Sequence, residues 1–230
     1  HSPDVIINLA ALTDVDLCEK NPSLAKEVNA NGVKNICEFF PGKIVQISTD
    51  YVFNGAKGPY SENDEVAPLS TYGATKLEAE KIVMSHSSGN LILRGNVLYD
   101  YNKQSKASFL NWVVDSLKQK KPIKIVKDQI NNPTWTESMA RAIYSCIESN
   151  INGTYHWGDA EFLSRYDFAL KIAKSYKLDA DLISPILTKE LDQKAPRPLN
   201  SGLKPDKLLE LLDIHQPSIN ECLKKIILNK

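Results

Sequence analysis

A tyrosine and a lysine four residues apart, Tyr72 and Lys76, are the side chains of this sequence best suited to proton transfer. On a helix, this spacing places both side chains on one face. A phenol has an ordinary pKa near ~10, and a neighbouring ammonium lowers that pKa by stabilising the phenolate. Such a pair can donate a proton to an alkoxide that forms near neutral pH. The alternative is that the two residues are chance neighbours on a solvated helix face.

The position of Thr49 favours the first interpretation. Thr49 follows an apolar run at residues 44–47 that predicts a buried strand, so its hydroxyl lies at the end of that strand. From there the hydroxyl can hydrogen-bond the same oxygen that Tyr72 protonates. A tyrosine and lysine at this spacing are a weak motif alone, but they gain meaning from such a context. We interpret Thr49, Tyr72 and Lys76 as the reacting centre of a carbonyl reductase.

The elements around these residues predict an open α/β sheet. Continuous apolar runs indicate buried parallel strands, and helical spacing of apolar residues indicates the helices between them. The predicted strands are residues 5–9, 43–48 and 91–93, and the predicted helices are residues 22–39 and 72–85. This order predicts a doubly wound parallel sheet of the Rossmann type. Ligands of such sheets bind beyond the carboxyl ends of the strands, where residues 8–13, 48–53 and 94–99 are polar clusters that should share one crevice.

After Arg94 the pattern predicts a second, smaller unit of mixed α/β structure. Its predicted elements are residues 105–119, 123–126, 153–157, 164–176, 203–212 and 219–228, whereas the helix predicted over residues 136–149 belongs to the first unit. We therefore expect two domains. Residues 1–101 and 134–150 form the dinucleotide-binding Rossmann domain, for which we expect a further, amino-terminal part that this sequence does not contain. Residues 102–133 and 151–230 form the substrate-binding domain.

Composition and charge exclude several classes of protein. The chain has 230 residues, 42% of them hydrophobic, with 28 basic and 28 acidic side chains. Balanced charge predicts no nucleic-acid partner, and no apolar run approaches the ~20 residues of a membrane span. The four cysteines, Cys18, Cys37, Cys146 and Cys222, are widely spread, which predicts reduced thiols in a cytoplasmic protein. Neither they nor His156 have the spacing of metal ligands, so we predict no metal.

Several stretches resemble the dTDP-4-dehydrorhamnose reductase family, a branch of the extended short-chain dehydrogenase/reductase superfamily. The matching stretches are VIINLAALTDVDLCEKNP, VNANGVKNI, IVQISTDYVFNG, PYSENDEVAPLSTYGATKLEAE, DQINNPTW, GTYHWG and APRPLNSGL. STDYVFNG and RPLNSGL are specific to this branch, whereas YGxxK is shared across the superfamily. The resemblance covers nearly the whole chain. It implies reduction, by NADPH or NADH, of a nucleotide-linked 4-keto-6-deoxy sugar, as in the conversion of dTDP-4-dehydrorhamnose to dTDP-rhamnose.

The resemblance also implies roles for individual residues. Thr49, Tyr72 and Lys76 form its catalytic triad, with Tyr72 as the proton donor and Lys76 holding the nicotinamide ribose. The residues that line the dinucleotide are Ala10, Ala11, Thr13, Ser48, Tyr72 and Lys76. The residues that contact the sugar nucleotide are Asp50, Tyr51, Asn96, Val97, Thr134 and Arg197. Arg197 is assigned to the diphosphate, and its alternative role is a salt bridge. The oligomeric state stays open, with a homodimer as the candidate.

One element of the family is absent from this sequence. The family has a glycine-rich GxxGxxG turn at its amino end, where the backbone approaches the cofactor pyrophosphate at a helix N-terminus. Residues 1–230 contain no such turn, nor the residue ~20 positions later that selects NAD or NADP. The chain starts with His1 rather than Met. We expect native sequence before His1 to supply a βα unit with this turn, and a protein that begins at His1 to aggregate or to bind the dinucleotide poorly.

Two other functions stay open. A sugar-nucleotide epimerase or dehydratase of the same superfamily shares the tyrosine and the lysine, although STDYVFNG and PRPLNSG argue against it. The regulatory beta subunit of methionine adenosyltransferase also resembles this branch, and in that role it is a binding partner rather than a reductase. Copurification with a methionine adenosyltransferase catalytic subunit would distinguish this second function from a reductase.

Overall fold

The protein is built around a four-stranded parallel sheet in the computed structural model, which describes residues 3–101 and 108–228. The strands are β1 (Val5–Asn8), β2 (Lys43–Thr49), β3 (Leu91–Gly95), β4 (Leu98–Tyr99), β5 (Ile123–Val126), β6 (Ile130–Asn131), β7 (Thr134–Trp135), β8 (Gly153–His156), β9 (Leu163–Ser164) and β10 (Ile183–Ile186). The helices are α1 (Val15–Lys20), α2 (Pro22–Lys26), α3 (Gly32–Phe39), α4 (Thr71–His86), α5 (Phe109–Lys118), α6 (Thr136–Glu148), α7 (Arg165–Tyr176), α8 (Asp206–Leu211) and α9 (Ile219–Leu228). The main sheet has the order β1-β2-β3-β8, which confirms the predicted α/β class with a parallel sheet.

Alternate residues of the two central strands build two apolar layers, one on each face of the sheet. Ile44 and Ile92 pack against α3 and α4. Val45, Leu91 and Leu93 pack on the opposite face against α6 and α8. All five side chains are buried, and burying a side chain of this size stabilises the fold by about 1.5–3 kcal/mol. Burial on both faces explains why these strands are continuous apolar runs in the sequence.

Strand β1 is less buried than the sequence predicts. Its parallel pairing with β2 is confirmed, with Val5 opposite Lys43. However, β1 lies at the edge of the sheet, and Ile7 is 44% exposed and Leu9 71% exposed. The predicted burial is therefore seen for Asn8 but not for Ile7 and Leu9, because no strand lies on the other side of β1 among the described residues.

The predicted helix over residues 22–39 is interrupted by a π-helical turn. Helix α2 leads into this turn, Glu27–Asn31, and α3 follows it. Such turns are frequent at functional sites because they reorient side chains within a helix. Here the turn carries Asn29, which is buried. The preceding helix α1 is not predicted from the sequence; it begins after Asp14, whose carboxylate accepts a hydrogen bond from the Leu17 amide at 2.9 Å.

The second half of the chain has a core of its own. Helices α5, α7 and α9 pack around β5, which pairs in parallel with β10. Ser164 caps α7, accepting a hydrogen bond from the Asp167 amide at 3.0 Å. Helix α9 is confirmed over residues 219–228. The predicted start of the helix over residues 105–119 lies outside the described residues, and α5 is present from Phe109 onward.

Two elements bear on the division into domains. Strand β8 pairs with β3, so it is part of the main sheet, and α8 packs on the same sheet through Leu208. The expected division places both elements in the substrate-binding domain. That division stays a prediction, and the packing favours moving β8 and α8 to the Rossmann domain.

Among the described residues, no helix combines the length and the apolar character needed to cross a membrane. The four cysteines are free thiols and are all buried. A buried thiol behaves as a small hydrophobic residue, as expected for Cys37 and Cys146 from the apolar helical patterns around them.

Candidate active site

The start of helix α4 fixes the positions of Tyr72 and Lys76. Ser70 caps the helix, accepting a hydrogen bond from the Gly73 amide at 3.3 Å. The Thr71 amide donates to a carboxylate oxygen of Glu19, on α1, at 2.9 Å. These contacts hold two of the amides that a helix start leaves without partners inside the helix. Because residues Thr71–His86 form an α-helix, Tyr72 and Lys76 lie one turn apart on the same face of α4, as predicted.

Gly73 allows the helix to approach the loop after β2. A Cβ at this position would collide with the Tyr51 carbonyl oxygen. Replacing Gly73 with alanine is therefore expected to destabilise the protein and lower kcat, because the start of α4 must shift together with Tyr72. Gly32 is the matched control, since a Cβ there meets only the Glu27 carbonyl oxygen at 3.6 Å. Gly32→Ala should stabilise the protein by up to ~1 kcal/mol through helix propensity, and denaturant titration of both variants measures the contrast. Similar stabilities for the two variants would contradict the expected collision at Gly73.

Thr49 and Tyr72 are brought together as predicted. The Thr49 side chain lies near the Tyr72 phenol and acts to lower its pKa. The Thr49 hydroxyl also donates to a carboxylate oxygen of Asp50 at 3.1 Å and accepts from the Tyr51 amide at 3.2 Å. The rings of Tyr51 and Tyr72 meet edge to face, with centroids 5.6 Å apart. The phenol of Tyr72 is thus held between a hydroxyl and an aromatic ring.

The pKa of Tyr72 is shifted opposite to the direction expected from the sequence. Burial raises the pKa of Tyr72 above its ordinary value, and the nearby Asp50 adds to the shift. The Lys76 ammonium, expected to lower it, instead donates to the Ile47 carbonyl oxygen at 2.7 Å. A raised pKa keeps the phenol protonated near neutral pH, which is the form that a proton donor needs.

Lys76 is buried beneath the reacting groups. Burial lowers the pKa of Lys76 to about 8, against the attraction of the Glu80 carboxylate. Glu80 lies one helical turn further along α4 and is also buried. A lysine with such a pKa is mostly protonated at neutral pH and can still change its charge within the working range of an enzyme.

Glu80 is at the centre of a buried polar network. Its two carboxylate oxygens accept from Nε and Nη2 of Arg94, at 2.9 and 2.7 Å. The Ser48 hydroxyl donates to Oε1 of Glu80 at 2.5 Å. Arg94 Nη1 lies 3.3 Å from Nε2 of His156, and burial together with the Arg94 charge lowers the pKa of His156 to about 3. Ser48, assigned by resemblance to the dinucleotide, therefore directs its hydroxyl to Glu80.

The residues assigned to the dinucleotide lie in the loop between β1 and α1. Ala10 and Thr13 are exposed and Ala11 is half-buried, so the loop is open at the carboxyl end of β1. The loop is fixed from below by Asn29 of the π-helical turn, whose amide group accepts from the Leu12 amide at 2.8 Å and donates to the Leu12 carbonyl at 3.1 Å. A small-residue loop beside the strand end that carries Thr49 is a suitable surface for a flat ring. The assignment of these residues to a cofactor stays a prediction.

Three of the residues assigned to the sugar nucleotide are buried, in two groups, and a fourth, Val97, is half-buried beside one of these groups. Asp50 accepts from the Ser201 hydroxyl at 2.5 Å, and burial raises the pKa of Asp50 to about 6. Asn96 and Thr134 are buried together, with their side chains 3.4 Å apart. Val97, next to them, has φ +43°, a strained conformation for a β-branched residue. Strain of this kind persists where the surrounding structure enforces it, and it clusters at functional sites.

The other two assigned residues, Tyr51 and Arg197, share a cavity of about 290 Å³. Arg165, Phe109 and Trp112 also line this cavity. The Arg165 guanidinium lies over the Phe109 ring, 5.4 Å from its centroid. Because the Tyr51 ring contacts Tyr72, the cavity begins directly beside the reacting centre. Two guanidinium groups and aromatic rings are suited to phosphates and to a flat base.

Arg197 takes part in the salt bridge that the sequence left open as its alternative role. Its Nη1 donates to a carboxylate oxygen of Asp16 at 2.7 Å and to the Ala195 carbonyl oxygen at 2.6 Å. The residue nevertheless lines the cavity, so the salt bridge and a position facing the ligand are both present. Burial acts to raise the pKa of Asp16, but the hydrogen bond and charge of Arg197 outweigh it and hold that pKa below its ordinary value.

Sequence reasoning missed several residues of the site. Glu80 could have been found, because it lies four residues after Lys76 and extends the same helix face. Asn29, Asp16 and Arg165 gave no local signal, since their partners are distant in the sequence. In the part of the chain that the structure describes, no three His, Cys, Asp or Glu side chains come together as a metal site.

The sequence matches the RmlD substrate binding domain family over residues 1–230. The dTDP-4-dehydrorhamnose reductase of Aggregatibacter actinomycetemcomitans is 32% identical, in a match that covers 97% of this chain and 80% of that protein. The crystal structure of dTDP-4-dehydrorhamnose reductase from Bacillus anthracis in complex with NADP has a TM-score of 0.93 and 31% identity, covering 100% of this chain and 82% of that one. Methionine adenosyltransferase 2 subunit beta of Rattus norvegicus is 31% identical over 93% of this chain and 66% of that protein.

Proposed function

The chain belongs to the RmlD substrate binding domain family, and from this we propose that it carries the reacting centre of a reductase that uses NADPH or NADH. The substrate is a nucleotide-linked 4-keto-6-deoxy sugar of the dTDP-4-dehydrorhamnose type. The similarity to dTDP-4-dehydrorhamnose reductases, one of them in complex with NADP, supports the reaction and the cofactor.

The observation that carries this proposal is the contact between the reacting centre and a basic cavity. Tyr51 joins the two, since its ring meets Tyr72 and also lines the cavity with Arg165 and Arg197. A reductase of small neutral carbonyl compounds has no need for two guanidinium groups at this distance. A sugar nucleotide carries its diphosphate next to the sugar, and arginine binds phosphate oxygens with paired N–H groups.

The residues present fit the nicotinamide side of the cofactor, through the open loop at Ala10 and Ala11 and the buried ammonium of Lys76. When bound, the cofactor supplies a hydride to the sugar C4. Thr49 orients the carbonyl oxygen, and Tyr72 donates its proton to that oxygen as the carbonyl becomes an alcohol. Lys76, fixed between Ile47 and Glu80, keeps a positive charge under this site.

Consumption of NADPH tests the proposal directly. We expect the protein, when its dinucleotide site is complete with a glycine-rich turn, to oxidise NADPH or NADH on addition of dTDP-4-dehydrorhamnose and to form the corresponding alcohol at C4. UDP-glucose, which has no keto group, is the control substrate. Oxidation that does not depend on the keto sugar, or binding of neither sugar nucleotide, would contradict the proposed function.

Replacing Arg197 with alanine is expected to weaken binding of the sugar nucleotide without changing the affinity for the dinucleotide. A hydrogen bond to a charged group contributes about 1.5–3 kcal/mol, which corresponds to roughly a tenfold to hundredfold loss. Calorimetry with each ligand measures the two affinities. Arg141→Ala is the control, because Arg141 is an exposed arginine paired with Glu137 on α6. Equal loss for both ligands, or for neither, would remove Arg197 from the substrate site.

A second candidate function is that of a regulatory subunit, favoured by the similarity to methionine adenosyltransferase 2 subunit beta. The two functions differ in their readouts. A regulatory subunit copurifies with a methionine adenosyltransferase catalytic subunit, and Tyr72→Phe leaves that association intact. A reductase loses its turnover in the same variant.

The proposed setting of the protein is the cytoplasm, which is supported by four free and buried thiols. We also propose that the protein forms a homodimer and that it does not bind nucleic acid. Light scattering of the purified protein, with and without duplex DNA, measures both properties.

A further inference from the structure

The carboxylate of Asp16 connects two parts of the chain that lie far apart in sequence. One of its oxygens, Oδ1, accepts from the Ala195 amide at 3.0 Å and from Nη1 of Arg197 at 2.7 Å. These partners are 179 and 181 residues away along the chain. The Arg197 side chain is only 9% exposed, so the contact is shielded from water on the arginine side. Charge-assisted hydrogen bonds in such surroundings are stronger than those of an exposed ion pair.

The two connected parts have different roles. Asp16 lies in the first turn of α1, directly after the loop of Ala10 and Thr13 that is assigned to the cofactor. Residues 191–199 have no regular secondary structure, and Gln193 and Arg197 of this segment line the basic cavity. The Asp16 carboxylate therefore fixes the segment of residues 191–199, which forms one wall of the basic cavity, to the start of α1, next to the loop assigned to the cofactor.

We propose that Asp16 is a positioning residue that presets Arg197 for the diphosphate of the sugar nucleotide, an inference that rests on the proposed function. Nη1 of Arg197 is held by both Asp16 and Ala195, so the guanidinium group is presented to the cavity in one orientation. A side chain fixed before the ligand arrives does not lose its rotational freedom on binding. The negative charge of Asp16 also repels a diphosphate. If positioning dominates, removing this charge weakens diphosphate binding, and if repulsion dominates, removing it strengthens binding.

The first experiment measures dTDP binding by calorimetry in the wild type, Asp16→Asn and Asp14→Ala. Asp14→Ala removes the cap of α1 without touching Arg197, so it controls for fraying of the helix. We expect Asp16→Asn to weaken binding roughly 2- to 12-fold, the range for the loss of one preorganised side chain, and Asp14→Ala to bind like the wild type. Tighter binding by Asp16→Asn would overturn the proposal, because repulsion would then dominate.

A double variant shows whether Asp16 acts through Arg197. If it does, Asp16→Asn adds nothing to the loss in Arg197→Ala, since the group that it positions is already gone. Additive losses would overturn this route. In turnover assays we expect a higher KM for the sugar nucleotide and an unchanged kcat, a pattern that general loss of structure does not produce.

Limited trypsin digestion tests the contact without any ligand. Lys194 has an exposed side chain, and the next residue, Ala195, donates its amide to Asp16. We expect faster cleavage after Lys194 in Asp16→Asn than in the wild type or in Asp14→Ala. Unchanged cleavage would overturn the proposal. If the wild type does not bind dTDP but Asp16→Asn is cleaved faster, the segment is held as inferred and the proposed function is the part that fails.

Discussion

Replacing Tyr72 with phenylalanine is expected to lower kcat by ~10²–10⁴, the usual contribution of a positioned general acid. The variant loses one hydroxyl, the one near Thr49, and keeps the ring that packs against Tyr51. Binding of cofactor and sugar nucleotide should therefore change little, and so should the melting temperature. Because burial raises the pKa of Tyr72, loss of its proton should not limit the wild-type rate up to the ordinary phenol pKa of ~10.

Steady-state kinetics of keto-sugar reduction, together with thermal unfolding, measure this expectation. Tyr144→Phe serves as the control, because Tyr144 is exposed on α6 and faces away from the core. A Tyr72→Phe enzyme with near-normal kcat would show that another group donates the proton. A large loss of both kcat and stability would indicate instead that the hydroxyl is needed for the fold.

Replacing Arg94 with methionine is expected to destabilise the protein by about 3–5 kcal/mol, the usual effect of removing one partner of a buried ion pair. Glu80 would remain buried with a charge that only the Ser48 hydroxyl and the Lys76 ammonium can compensate. Removing both charges, in Glu80→Leu with Arg94→Met, should restore much of the lost stability, because the penalty comes from the unpaired carboxylate.

Denaturant titration gives the free energy of unfolding for these variants. The exposed pair of Arg141 and Glu137 provides the comparison, since the loss of a surface salt bridge contributes about 0–1 kcal/mol. A loss in Arg94→Met as small as that in Arg141→Met would mean that water compensates the Glu80 carboxylate when its partner is removed. If the double variant, Glu80→Leu with Arg94→Met, is less stable than Arg94→Met alone, the side chains of this network stabilise the fold through their packing rather than through their charges.

The placement of Thr49, Tyr72 and Lys76 close together was predictable because its signals are local. Tyr72 and Lys76 share a helix face through their spacing alone, and Thr49 was placed at a strand end by the apolar run before it. The central strands were equally clear, since burial on both faces produces continuous apolar sequence. Helix α4, predicted over residues 72–85, spans Thr71–His86.

The rest depends on contacts between distant segments. The salt bridge of Asp16 with Arg197, and the cavity that Arg197 shares with Arg165, join residues that no spacing rule connects. The direction of the Tyr72 pKa shift was missed for a related reason. The sequence shows the nearby lysine charge but not the burial that outweighs it. The exposure of Ile7 in β1 likewise depends on which strands lie beside it.

The four buried cysteines can be used to measure how often each region of the protein opens, because a buried thiol reacts only after its surroundings open. Cys37 and Cys146 lie in the two apolar layers on opposite faces of the sheet, Cys222 lies in the core of the second half, and Cys18 lies in α1. Burial raises the pKa of each thiol, to about 11 for Cys146 and about 12 for Cys222, so the reactive thiolate is scarce until the site opens. The rate at which each thiol is alkylated then reports the opening free energy of its own region. Mass spectrometry of the labelled peptides would map stability across the molecule without introducing a single foreign residue.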